Sequence, residues 1–227
     1  MNRIGIIIPA YNEAEALPLV LSEVGDDLID SIVVVDNGSD DGTGRIAAET
    51  GAHVVKEPCR GYGAACLKGI DFFRTRPVDI VVFMDADRSV DPGDLPALTE
   101  PILRGDADLV IGSRILGERE KGSLVPQARY GNALATTLMR LFFKTDFTDL
   151  GPFRAIRFDK LLALEMEDRN FGWTVEMQVK AAKMGLESME VPVRYRRRVG
   201  RSKISGTLSG TLRAGTKILW TIFKNLG

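Results

Sequence analysis

The apolar positions along the chain alternate between two periods. Short Ile- and Val-rich runs at residues 4–8, 31–35, 52–55, 78–84 and 109–111 predict buried parallel strands; the first is closed by Pro9, the second by Asp36 and the fourth by Asp85. Between them, residues 13–24, 40–50, 64–73 and 95–103 have helical spacing, with Ser39 or Asp40 as N-cap of the second helix. Strands alternating with helices of this length predict βαβ units and an α/β fold with a mostly parallel sheet. Such sheets bind ligands in the crevice beyond the carboxyl ends of their strands. Tyr11, Asn12 and Glu13 follow the first run, Asp36 the second, and Asp85 and Asp87 the fourth.

The second half is less regular. Residues 112–127, rich in Gly and charge, read as a loop long enough to act as a lid. Helices are predicted at 128–143 and 173–184, and a strand at 188–195. In the tail, 207–226, Leu208, Leu212, Leu219, Phe223 and Leu226 share one helical stripe, with Trp220 beside it. A helix of that kind packs on the sheet or lies in a membrane interface. No repeat or low-complexity linker divides the chain, so residues 1–227 form one domain.

Composition narrows the chemistry. With 44% hydrophobic and 27% charged residues, disorder and collagen-like or coiled-coil arrays are excluded. Cys59, Cys66 and His53 are the complete set of cysteines and histidines, too few for a four-ligand structural zinc site. Hydrolysis by a Ser-His-Asp triad would have to run through His53, which no nearby nucleophile supports. The two cysteines suggest no disulfide framework, and a cytoplasmic location is expected. No stretch approaches about 20 apolar residues, so none reads as a membrane span. The formal charge of −1 hides an asymmetry: residues 1–112 hold 9 Lys and Arg against 20 Asp and Glu, and residues 113–227 hold 21 against 11. An acidic half able to hold a cation is joined to a basic half able to hold an anion.

Asp85-Ala86-Asp87 carries the sharpest signal. Alternate residues of an extended segment point the same way, so both carboxylates can reach one ion. Mg²⁺ and Mn²⁺ are often held by one or two carboxylates plus substrate phosphate oxygens. Without its strand context the motif reads more readily as a solvated turn, and its place at the end of an apolar strand reverses that. Gly61-Tyr62-Gly63 leads into a helix whose free N–H groups favour an anion, or it is simply a tight turn. Its glycine pattern is too short for a dinucleotide site. Arg194, Arg196, Arg197, Arg198, Arg201 and Lys203 place six cations in ten residues. Nucleic acid is disfavoured by the acidic first half and the few interleaved aromatics. A phosphate clamp fits better, because guanidinium forks bind phosphate bidentately, and Arg114 and Arg129 flank the long loop and could join it.

Taken in order, Ile8-Pro9-Ala10-Tyr11-Asn12-Glu13, Val35-Asp36-Asn37-Gly38-Ser39-Asp40-Asp41-Gly42-Thr43, Gly61-Tyr62-Gly63-Ala64-Ala65 and Asp85-Ala86-Asp87 resemble the motifs of family 2 glycosyltransferases with the GT-A fold. Gly112-Ser113-Arg114, the segment 148–154 and the segment 198–203 extend the resemblance to the polyprenyl-phosphate (dolichol-phosphate mannose synthase-like) branch, over nearly the whole chain. The resemblance implies transfer of a hexose from a nucleotide sugar with inversion at the anomeric carbon. It implies a nucleotide-sugar-binding half, 1–112, and an acceptor-binding half, 113–227. Pro9, Tyr11, Glu13 and Asp36 would line the nucleoside pocket, with Asp36 on the base, and Gly61 and Gly63 would let the backbone approach the donor. Asp85 and Asp87 would hold the metal on the diphosphate. Arg114, Arg129, Arg198 and Lys203 would clamp phosphates, and Asp149 and Glu176 would face the sugar or acceptor. The chain departs from the family at Asn37, where a second Asp is common, near Ser89, where a Gln or similar ligand is common, and at Gly151-Pro152-Phe153-Arg154, where Pro152 is extra.

Breaking an anomeric C–O bond builds negative charge on the leaving diphosphate, which a divalent ion and basic groups stabilise. A lipid-phosphate acceptor is already anionic and needs positioning more than a base. An alcohol acceptor needs a carboxylate to take its proton, and Asp149 or Glu176 is the candidate. Against the polyprenyl-phosphate reading stand the same donor chemistry on a soluble hydroxyl acceptor, a catalytically silent nucleotide-sugar-binding protein, and a nucleotidyltransferase on a similar scaffold.

Overall fold

The apolar runs form β1 (Ile4–Ala10), β2 (Ile29–Asp36), β3 (His53–Lys56) and β4 (Ile80–Phe83), which pair in parallel through β1–β2, β2–β3 and β1–β4. With β5 (Leu109–Ser113), β6 (Arg154–Arg157) and β7 (Ser188–Pro192) they make a seven-stranded sheet in the order β3-β2-β1-β4-β6-β5-β7. Only β6 runs against its neighbours. These elements come from a computed structural model that describes residues 3–25, 29–200 and 208–226.

Side chains alternate between the two faces of the sheet, so each face builds its own core. Ile6, Ile8, Val34 and Val82 pack on the side of α1 (Leu17–Glu23), α2 (Thr43–Glu49) and α4 (Leu95–Arg104). Ile7, Val33, Val81 and Phe83 pack on the side of α3 (Tyr62–Thr75), α5 (Pro126–Phe143), α6 (Phe158–Ala163), α7 (Trp173–Lys183) and α8 (Leu208–Lys224). Helix α3 lies close on β1 because Gly5 and Gly69 carry no Cβ; one at either position would run into Phe73 or Ile7.

The α/β reading holds, with local corrections. Helix α2 begins at Thr43, not at residue 40, because Gly42 takes a left-handed conformation (φ 89°) as its N-cap. Ser39 and Asp40 instead bond Asn12, and Asp41 accepts the Thr43 N–H at 2.9 Å. Strand β6 and helix α6 carry no periodic signal. Tertiary burial, not pattern, makes Arg154-Ala155-Ile156 a central strand. Of the predicted stripe on α8, Phe223 and Leu226 are exposed and Leu219 is half-buried, while the side chains of Leu208 and Leu212 lie outside what the structure describes. Ile218, Thr221 and Ile222 face the core beside α5 and α7, leaving Trp220, Phe223 and Leu226 exposed.

Candidate active site

Three adjacent strands deliver their ends to one edge. Pro9 pairs with Val35 and Ala10 with Asp36, while β4 lies on the other side of β1, so Tyr11, Glu13, Asp36, Asp85 and Asp87 share the crevice. The Tyr11 ring lies 3.6 Å beneath the Arg60 guanidinium. Asn12, in a left-handed conformation (φ 52°), donates from its backbone to Ser39 Oγ and from its side chain to Asp40, locking two loops together. Asp36 accepts the Ser39 N–H at 2.8 Å. Its other oxygen faces the start of α2, where a Cβ on Gly44 would come within 2.7 Å. Asp36 therefore stands at the expected nucleoside end and also shapes the turn beside it.

Asn37 explains its own departure from the family pattern. Its amide donates to the Glu57 and Cys59 carbonyls at 2.9 and 2.8 Å and accepts the Gly61 N–H at 2.8 Å. An aspartate cannot donate to two carbonyls, so the amide clamps the loop before α3.

The Asp85–Asp87 segment leaves β4 at the centre of the crevice. Burial and the neighbouring Asp87 charge push the Asp85 carboxyl up to about 7, against the pull of Arg114 and Arg198. The buried Tyr62 hydroxyl lies beside the Asp85 carboxyl and interacts with it. Asp87 accepts the Ser89 N–H at 2.9 Å, and Arg88 is held in a left-handed turn (φ 62°) by Glu23. No cluster of three His, Cys, Asp or Glu completes a metal site among the described residues. Two crowded carboxylates fit a divalent ion whose remaining ligands come from diphosphate oxygens and water.

The basic segment is not the open clamp that its composition suggests. Tyr195 bridges to Val90 on one side and Arg119 on the other, and the backbone continues along the aspartate segment through Arg196 N–H to Ser89 and Val199 N–H to Asp87. Arg194 is held by Asp91 and Asp94, and Arg196 by Glu23 and Asp91. Arg197 Nε donates to the Lys121 carbonyl. Arg194 and Arg196 thus tie the basic half to acidic residues of the first half, and Arg197 braces the loop after β5. Arg198 alone of the four reaches a predicted metal ligand, with Nη1 3.2 Å from Asp87, while its Nη2 lies 2.9 Å from Glu13. Lys203 and Arg201 lie outside the described residues. Arg129 is exposed on the first turn of α5. The loop after β5 is pinned to the same segment, since Tyr195 donates to the Glu118 carbonyl and Glu120 donates to the Tyr195 carbonyl.

On the acceptor side, Asp149 is fully buried and grips Arg114 at both oxygens: Nε at 2.8 Å, Nη2 at 2.7 Å and the backbone N–H at 2.7 Å. The guanidinium lies 5.3 Å from the Tyr195 ring centroid. Glu176 spends its carboxylate on the Glu167 and Asp168 amides and on Lys180, so it braces a loop and is not an open acid facing the acceptor. That loop covers the start of α3. The Arg169 carbonyl accepts the Ala64 N–H, and a Cβ on Gly61 or Gly63 would overlap the carbonyls of Arg169 and Asp168. The two glycines therefore admit this loop rather than an anion, which corrects the helix-terminus reading.

Two supporting residues have no role assigned to them by the sequence. Glu190 on β7 accepts from the Thr148 backbone and hydroxyl and from the Asp149 N–H. Arg154, fully buried, donates to the Leu150, Gly151 and Thr174 carbonyls, and burial pushes its guanidinium down to about 10. In the sequence, Glu190 is one charge in an alternating strand, and Arg154 was legible only as part of the segment 148–154.

The family model described as "Glycosyl transferase family 2" matches residues 5–164. The chain is 37% identical over 223 residues to the undecaprenyl-phosphate mannosyltransferase of Micrococcus luteus, covering 92% of this chain and 90% of the relative. It is 32% identical over 215 residues to the polyprenol monophosphomannose synthase of Mycolicibacterium smegmatis, covering 89% and 81%. In fold it is similar to glucosyl-3-phosphoglycerate synthase from Mycobacterium tuberculosis, solved with Mn²⁺, uridine diphosphate and phosphoglyceric acid (TM-score 0.78, 22% identity, 100% of this chain and 79% of that one). With this GT-A-like sheet, these motifs and these relatives, the chain is a glycosyltransferase of family 2, similar to the polyprenyl-phosphate mannose synthase branch.

Proposed function

We propose that the chain is an inverting hexosyltransferase that moves a hexose from a UDP- or GDP-sugar to a polyprenyl phosphate. The observation that carries this reading is the state of the acceptor-side carboxylates. A hydroxyl acceptor needs a base, yet Asp149 is closed in a bidentate pair with Arg114 and Glu176 is spent on backbone amides. A phosphate nucleophile arrives ionised and needs cations and alignment instead. Arg114, fixed by Asp149, and Arg198 supply those cations beside Asp85 and Asp87. Asp149 is then a positioning residue. The names of the relatives from Micrococcus luteus and Mycolicibacterium smegmatis support the same acceptor class.

Pro9, Tyr11, Glu13 and Asp36 take the nucleoside end. Asp85 and Asp87 would hold Mg²⁺ or Mn²⁺, which when bound offsets charge growing on the leaving diphosphate. Residues 1–227 act as one domain, with the polyprenyl phosphate reached from the cytoplasmic side of a membrane. Among the described residues no helix is long and apolar enough to cross one.

The test is a transfer assay with UDP- and GDP-sugars and Mn²⁺, with a short polyprenyl phosphate or a panel of soluble alcohols and sugars. Sugar appearing on the lipid phosphate with inverted configuration is expected. Rapid transfer to a hydroxyl acceptor, with none to the lipid phosphate, would overturn the reading.

A further inference from the structure

We propose that the outer faces of α5 and α8 form one surface that docks on an anionic lipid bilayer. The inference rests on the polyprenyl-phosphate reading for its purpose, but on separate residues for its evidence. Of the eleven large hydrophobic side chains exposed among the described residues, seven belong to this pair of helices and their ends. On α5, Tyr130 (78% exposed), Leu134 and Leu141 (69%) recur at spacings of four and seven residues, one and two helical turns, so they form a stripe. Trp220 (63%), Phe223 and Leu226 continue it from α8, and the Phe142 and Phe223 rings meet at 5.9 Å, joining the two helices into one ridge. The inward residues of both helices are already used, Ala135 and Met139 on α5 and Ile222 on α8 being buried in the core.

Charge selects the occupant. Neither α5 nor α8 contains an Asp or Glu, in a chain that has 31 of them. Their cations are Arg129, Arg140, Arg213, Lys217 and Lys224. Lys217 and Lys224 are paired with Asp168 and Glu167, while Arg129, Arg140 and Arg213 are exposed. A second copy of the chain seated face to face would set the exposed arginines against one another, the carboxylates beside the ridge, Asp168 and Glu167, being already paired with Lys217 and Lys224. An anionic bilayer offers what the ridge lacks. Its acyl region takes Leu and Phe, its interface takes Trp and Tyr, and its headgroups take Arg.

The same helix connects this ridge to the acceptor side. Asn132, on the inward face of α5, donates to the Thr148 carbonyl and accepts the Leu150 N–H, so it holds the two residues flanking Asp149. A bilayer on the outer face of α5 thus lies one helix away from Arg114.

Vesicle co-sedimentation of the full chain without donor or metal tests the surface directly. Binding is expected to vesicles containing phosphatidylglycerol and to weaken with pure phosphatidylcholine or added salt. The double substitution Leu141→Glu with Phe223→Glu is expected to cut that binding by about tenfold or more. Arg140→Glu with Arg213→Glu, which leaves the apolar ridge alone, is expected to remove the preference for the anionic lipid. Wild-type protein that ignores the anionic vesicles, or binding unchanged in the Leu141/Phe223 variant while circular dichroism is native, would overturn the proposal. So would a concentration-dependent dimer in light scattering that the same variant abolishes, since the second copy would then be the occupant. Transfer to a short, water-soluble polyprenyl phosphate separates the two readings. If that transfer fails in wild type while vesicles are still bound, the acceptor assignment falls and the surface stands.

Discussion

Arg198 bridges Asp87 and Glu13 across the centre of the crevice, and a carboxylate oxygen facing a guanidinium is not free for a metal. The same guanidinium is the natural partner for a diphosphate placed beside that metal. Arg198→Gln is therefore expected to raise the Mn²⁺ affinity of the donor-free protein by about fivefold, the scale of an ion pair of roughly 1 kcal/mol near a surface. Nucleoside diphosphate binding should weaken at the same time. Calorimetry with Mn²⁺ alone reads the first effect, and an unchanged affinity would refute it. Asp85 gives a pH signature. Its carboxyl lies at about 7 in the folded protein against an ordinary 3.8, so the folded state keeps a proton that the unfolded state has lost between those values. Stability from this group is fully present below pH 3.8 and is lost as pH rises through 7. In EDTA, Asp85→Asn should raise the melting temperature over wild type more at pH 8 than at pH 5, by at least about 2–4 °C, the scale of 1 kcal/mol in a chain of this size. A difference that is the same at both pH values would exclude the assigned shift.

At the scale of elements, the edge strand β7 supports the acceptor side from behind. Glu190 takes two hydrogen bonds from Thr148 and one from the Asp149 N–H, and burial raises its carboxyl above the ordinary value. Glu190→Ala leaves those donors without acceptors and should cost about 2–3 kcal/mol in urea unfolding. Glu190→Gln keeps one acceptor oxygen and should lose less. Because Asp149 orients Arg114, the Ala variant should also slow transfer more than it weakens donor binding; equal losses in both would place Glu190 outside this chain of contacts.

For the whole molecule, the acidic and basic halves of the sequence contribute strands to one sheet. Strand β6, from the second half, lies between β4 and β5 of the first. Arg194, Arg196 and Arg198 pair across a hundred residues or more with Asp91, Asp94, Glu23, Glu13 and Asp87. A fragment of residues 1–112 would bare the edges of β4 and β5 and remove the arginines of the second half from those carboxylates. The full chain should unfold in one calorimetric transition, and the fragment should show no cooperative transition. Two resolved transitions in the intact chain, or a folded fragment, would overturn that expectation.

Local order in the chain was enough for the strands β1 to β5, the helices between them, and the placing of Tyr11, Glu13, Asp36, Asp85 and Asp87 at one sheet edge. Apolar periodicity and strand ends are read from neighbouring residues, and parallel βαβ geometry does the rest. What each charged residue meets could not be read in that way. Arg198 and Glu13 lie 185 residues apart, Arg114 and Asp149 35 apart, and composition gives the same six cations whether they clamp a ligand or brace a loop. The antiparallel insertion of β6, the clamp made by Asn37, the covering of Gly61 and Gly63, and the outward side of α8 were likewise decided by packing. Each depends on which backbone groups and apolar faces remain unsatisfied once the other elements are in place, and that is a property of the assembled fold.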